Sequence, residues 1–201
     1  MSQNMISTER DAGANNTTKG AKISRSTKEV RVWNSSIHSE YVFDFTMEEV
    51  WPHFINYKSW MDTFSFETLN DEPNSVGELV KTTAKGEWSM VDKITGAPIP
   101  NYHYAETIVV VPPAYYTVKV FAEKGGSYGV DDYVGFDNFT LVKESEGRTL
   151  AIIAANSEYK SSKHSDDDIA MMKEKASCEV DKKLSRYWEN LRNMVENGSC
   201  K

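Results

Sequence analysis

Cysteine is scarce in this chain, and long apolar runs are missing altogether. The 201 residues hold two cysteines, Cys178 and Cys200, too few for a disulfide framework and at no paired-ligand spacing. They read as reduced thiols of a reducing compartment. No stretch approaches the ~20 consecutive apolar residues of a membrane helix, and the polar first residues lack the apolar centre of a signal peptide. A cytoplasmic protein without membrane insertion is therefore expected, and the N-x-S/T triplets at Asn15, Asn16, Asn34, Asn138 and Asn197 read as chance matches. Histidine is sparse too: among His38, His53, His103 and His164 no two stand at metal-ligand spacing. A Gly-rich phosphate loop, a nucleophile elbow and a Cys-His arrangement are all lacking, so neither a metal nor another cofactor is expected, nor covalent catalysis.

Positive charge is short, and it is unevenly placed. The formal net charge is -7. Residues 1 to 28 carry Arg10, Lys19, Lys22, Arg25 and Lys28 against Glu9 and Asp11, a balance of +3 that leaves -10 on the remainder. A body that acidic repels phosphate backbones, so no nucleic-acid partner is expected. The first 28 residues lack aromatic side chains and are rich in Ser, Thr, Asn and Gly. They bury too little apolar area to offset the entropy of ordering and are expected to form a disordered tail, with one domain over residues 29 to 198.

From Val30 the texture changes. Ile37, Ser39, Tyr41, Phe43 and Phe45 alternate with His38, Glu40, Val42 and Asp44 at the period of a half-buried strand. Thr46 and Glu49 make an S/T-x-x-E capping box for a short helix whose apolar face is Val50, Trp51 and Phe54. A second short helical piece is expected at Tyr57 to Met61, presenting Trp60. Strand-like runs follow at 64–69, 76–83, 102–111, 114–123, 133–143 and 149–157, the last two joined at Glu146-Gly147. The clearest helix closes the chain, with Ile169, Met172, Ala176, Val180, Leu184, Tyr187, Leu191 and Val195 recurring at steps of three or four. It is expected over Asp166 to Asn197, with the acidic triplet at 166–168 complementing its N-terminal dipole. This order is an α+β plan in which a curved antiparallel sheet wraps one long helix.

Four passages then give a more specific likeness. Thr46-Met47-Glu48-Glu49-Val50-Trp51 resembles the P-x-E-x-V-W run that opens the first helix of the START-like helix-grip superfamily, although Thr46-Met47 stand where a small residue and proline are usual. Val76-Gly77-Glu78, Val111-Pro112-Pro113 and Gly147-Arg148-Thr149 resemble, in order, the V-G, D-P-P and G-T-R passages of that superfamily, which includes polyketide cyclases and dehydratases and birch-pollen-allergen-type proteins. The likeness spans about residues 35 to 196. It implies a helix-grip fold with a deep apolar cavity between sheet and helix.

Strand alternation puts Tyr102, Tyr104, Glu106, Ile108 and Val110 on one face and His103, Ala105, Thr107, Val109 and Val111 on the other. Both faces are mixed, and the residues alone leave open whether Glu106 faces solvent or cavity. The resemblance favours the Glu106 face as lining, with Glu106 as acid or base assisted by Tyr102 and Tyr104. Trp60, Trp88, Ile108, Tyr116, Tyr133 and Ala176 are the further expected ligand contacts. A tyrosine-rich pocket suits a small hydrophobic or aromatic, partly oxygenated ligand. The function this implies is a cofactor-independent cyclase or dehydratase of polyketide-like secondary metabolism; the alternative is a non-catalytic carrier or sensor of a lipid or other small molecule. A buried titratable group beside hydroxyl donors would favour the enzyme, and a cavity apolar throughout would favour the carrier.

Overall fold

The computed structural model describes residues 29–85, 90–91, 98–99, 101–127 and 129–198, without the side chains of 90, 91, 98, 99, 175, 176 and 178. The expectations for the tail 1–28, Trp88, the side chain of Ala176 and the two thiols fall outside the described residues.

Period-two alternation makes β1 (Arg31–Phe43), whose Trp33 and Phe43 are buried while Asn34, His38 and Glu40 face out. The capping box forms as expected at α1 (Met47–Phe54): the Glu49 amide donates to Thr46 Oγ1 at 3.3 Å, and the Thr46 amide donates to Glu49 Oε2 at 2.8 Å. Two amides that a helix start leaves open are thus satisfied. Val50 and Phe54 of α1 are buried, and a 3-10 turn at Tyr57–Ser59 follows.

The remaining elements are β2 (Phe64–Thr68), β3 (Leu79–Ala84), β4 (Met90–Val91), β5 (Pro98–Ile99), β6 (Tyr102–Val111), β7 (Tyr115–Ala122), β8 (Asp132–Ser145), β9 (Arg148–Ser161) and α2 (Asp166–Gly198). Seven strands form one antiparallel sheet in the order β1-β9-β8-β7-β6-β3-β2, and β4 pairs with β5 apart from it. The β8–β9 hairpin turns at Gly147, whose φ of 68° suits glycine.

Ser165 caps α2 reciprocally with Asp168: the Asp168 amide donates to Ser165 Oγ at 3.2 Å and the Ser165 amide to Asp168 Oδ2 at 2.9 Å. The acidic triplet is in this way a helix start, where carboxylates meet open amides and the positive end of the dipole.

The helix buries Ile169, Leu184, Tyr187, Trp188, Leu191 and Val195, most of them on the stripe read from the sequence. Around the C-terminal half of α2 the core is solid. Phe54 stacks on Trp60, Tyr116 stacks on Phe139 with centroids 4.3 Å apart, and Leu191 and Val195 are fully buried.

Candidate functional site

The register of the sheet decides where space is left. One row of facing residues runs Ser39, Ile153, Phe139, Tyr116 across β1, β9, β8 and β7, and is filled by aromatic rings. Two rows toward the other end, Ser35, Ser157, Gly135, Val120 and Ala105 face one another across five strands. Apart from Val120 these residues are small, and they leave space that the lining of α2 does not fill. The next row is bulky again, with Trp33 stacked on Tyr159 at 5.3 Å and Tyr159 stacked on Tyr133 at 4.8 Å. Between the aromatic ends lies a cavity of about 280 Å³ beneath the first two-thirds of α2, where Met172, Val180, Leu184 and Tyr187 close it. Lys173, Glu179 and Lys183 carry its lining to the surface.

A carboxyl and an imidazole from the sheet line this space. Asp137 of β8 stands between Val118 and Ala155 on the neighbouring strands, and burial there pushes its carboxyl up to about 7. It makes no hydrogen bond or ion pair with the described residues. His103 of β6 contacts the rings of Phe64 and Tyr133, each at 5.9 Å; burial, helped by the charge of Lys183, pushes its imidazole down to about 4. His103 is therefore neutral at pH 7, while Asp137 holds its proton far more readily than an exposed carboxyl.

Two further lining residues carry hydroxyls. Tyr57 and Thr82 are 4% and 3% exposed, and their side-chain oxygens are shut off from accessible space and have no hydrogen-bond partner among the described residues. Burial, with the charges of Glu78 and Asp137 nearby, raises the Tyr57 phenol above its ordinary range, so it stays a donor. Glu78 itself is 1% exposed outside the lining, held by the Lys58 ammonium through Oε1, with Oε2 unpartnered. Tyr187 is not available in the same way, since its hydroxyl is hydrogen-bonded to Thr63.

Neither a family model nor a curated protein sequence matches the chain. Solved structures do match in shape. A conserved protein from Geobacillus kaustophilus superposes with a TM-score of 0.56 at 14% identity, over 82% of this chain and 96% of that one. A point mutant of norcoclaurine synthase from the plant Thalictrum flavum, solved with a transition-state analogue, gives 0.53 at 16% identity over 85% and 99% of the two chains. The same plant enzyme in complex with dopamine and hydroxybenzaldehyde gives 0.51 at 14% identity over 98% of each chain. The chain has the helix-grip fold. Among its described residues no helix is long and apolar enough to cross a membrane.

Within this helix-grip domain the expected face of β6 is corrected. Ala105 is buried between Val80 of β3 and Val120 of β7, and His103 and Ala105 line the cavity. Because side chains alternate, Tyr102, Tyr104 and Glu106 lie on the opposite face of the sheet. There Tyr104 stacks on Phe121 at 5.6 Å, and Glu106 stands opposite Lys119 and Leu79. The sheet does break register, but only after Thr107, too late to bring Glu106 inward. Ile108 sits at that irregularity, outside the lining.

Of the other expected contacts, Tyr133 lines the cavity. Trp60 and Tyr116 belong to the solid end, where Trp60 Nε1 donates to the His53 carbonyl at 3.1 Å and the Tyr116 hydroxyl to the Phe54 carbonyl at 2.9 Å. Asp137 was missed, though a signal existed: it shares its parity with Tyr133, Phe139 and Leu141, the apolar face of its strand. An acidic residue on such a face is the pattern to look for.

Proposed function

We propose that the cavity binds a small, oxygenated aromatic molecule and that Asp137 moves a proton on it, in a cofactor-independent reaction of the cyclase or dehydratase type. The observation that carries this reading is a carboxyl, pushed up to about 7, on the wall of a cavity that also presents the His103 imidazole and the Tyr133 ring. A carboxyl raised toward neutrality is suited both to taking and to giving a proton near pH 7. The cavity size supports a compact ligand: about 150 Å³ accommodates a benzene ring, so 280 Å³ holds on the order of two rings. Aromatic walls of Trp33, Tyr133 and Tyr159 offer faces for stacking. Neutral His103 would serve as a hydrogen-bond donor or acceptor toward the same ligand. A pure carrier needs no carboxyl in its cavity, which is why the enzyme reading is preferred.

Mass spectrometry of small molecules that co-purify with the full chain identifies the ligand class. With that compound or its precursor, Asp137→Asn is expected to keep affinity within a few-fold and lower turnover about 100-fold or more. Turnover unaffected by Asp137→Asn, or no turnover by the wild type, would overturn the catalytic part.

A further inference from the structure

His103 faces inward from β6 yet is only half-buried, and the surface it keeps opens on the cavity it lines. Neither ring nitrogen is shut off, and the imidazole makes no hydrogen bond or ion pair with the described residues. Thr82, which pairs with His103 across β3 and β6, offers it no bond. A neutral imidazole carries one N–H and one lone pair, so a donor is left for whatever occupies the cavity. The surroundings favour an acceptor there. Phe64 and Tyr133 flank the imidazole, and the Lys183 ammonium lies over the Phe64 ring, 5.2 Å from its centre. Lys183 is near enough for its charge to oppose protonation of His103. The same positive potential draws a ligand's electron-rich oxygen toward the imidazole and turns its hydrogens away. Asp137 addresses another part of the ligand, since it stands four residues along β8 from the Tyr133 that touches His103, about 13 Å of strand.

We propose that the His103 imidazole donates a hydrogen bond to a ligand carbonyl oxygen, so that the molecule bound here is an aromatic ketone or aldehyde with its carbonyl at the β6 side of the cavity, toward Lys183. This rests on the aromatic-ligand reading above and narrows its ligand class. A carbonyl accepts without a hydrogen of its own to place in the field of the ammonium, whereas a carboxylate would share its cavity with Asp137. Without such an acceptor the N–H loses water to the ligand and gains nothing in return. Electrons drawn toward the carbonyl oxygen loosen protons on carbons conjugated with it, the kind of proton that Asp137 would move.

Two probes of one shape test this on the full chain: 2-acetylnaphthalene and 2-isopropenylnaphthalene, which differ by an oxygen in place of a CH2 group. Equilibrium dialysis is expected to give on the order of tenfold tighter binding for the ketone. Infrared spectra of the ketone labelled with carbon-13 at the carbonyl should show its stretch at lower frequency when bound than in an apolar solvent. His103→Phe should erase both the affinity difference and the frequency shift, His103→Gln, which still offers N–H donors, should keep part of the shift, and Asp137→Leu should keep it whole. The isopropenyl probe reports in each variant whether the aromatic walls survive; where they do not, the affinity ratio and the frequency in the wild type decide alone. Equal affinity of the wild type for the two probes, or a shift lost in Asp137→Leu and kept in His103→Phe, overturns the assignment while leaving aromatic binding intact. Failure of both probes to bind overturns the aromatic reading as well.

Discussion

Asp137 and His103 line the same cavity and are displaced in opposite directions by the same cause, the loss of water around a charge. The consequence for stability can be worked out with signs. Asp137 holds its proton more tightly when folded, with a carboxyl raised from 3.8 to about 7, so stability falls as pH rises through that window. His103 holds its proton less tightly when folded, lowered from 6.5 to about 4, so stability rises over nearly the same window. Each contributes at most about 3 to 4 kcal/mol, and between about pH 4 and 6.5 they oppose one another. Urea unfolding at a series of pH values should therefore give a nearly level profile for the wild type across that range. Asp137→Asn should leave a profile that climbs with pH, and His103→Gln one that descends. Parallel profiles for all three proteins would show that neither group is desolvated in the fold.

At the scale of elements, α2 performs two tasks with one stripe. Its last turns, at Leu191 and Val195, are packed solid with Phe54, Trp60 and their neighbours; the stretch from Met172 to Tyr187 roofs the cavity. The stripe was legible because a 3.6-residue period is a local property, readable without knowing what the helix faces. The division was not, because it depends on side-chain sizes in rows contributed by five strands far apart in sequence. The cost of truncation should follow the division. Leu191→Ala opens a hole in a filled core and should cost about 4 kcal/mol. Leu184→Ala only widens a space already present and should cost about 2 kcal/mol. Denaturant unfolding of the two variants measures the difference; equal costs would mean that the helix is packed alike along its length.

For the whole molecule, charge and compactness are separable. The +3 of residues 1 to 28 is set against -10 on the rest, and those 28 residues carry no aromatic side chain to bury. Deleting them is expected to leave the melting temperature within a few degrees of the full chain, since they carry no aromatic side chain to add to the core around Trp33, Phe43 and α2. A larger drop in a calorimetric scan would place part of that segment against the domain. The deletion should also sharpen binding of cationic over anionic dyes, because the remaining body is more acidic.

The sequence by itself determined the elements and their order: a capping box, two hairpin-forming runs around Gly147 and one amphipathic helix are encoded by neighbours within a few residues of one another. It also carried the fold, because that order with the four family-like passages admits few ways of covering a curved sheet with a single helix. Which face of β6 points inward was decided only by tertiary structure. Both faces of that strand are mixed, so alternation alone was silent, and the choice came from Ala105 meeting Val80 and Val120 on the adjacent strands. The cavity has the same origin. No single strand contains it; it exists because Ser35, Ser157, Gly135 and Ala105 fall into one register across the sheet, and a one-residue slip of any of these strands would have turned its small residue to the outer face.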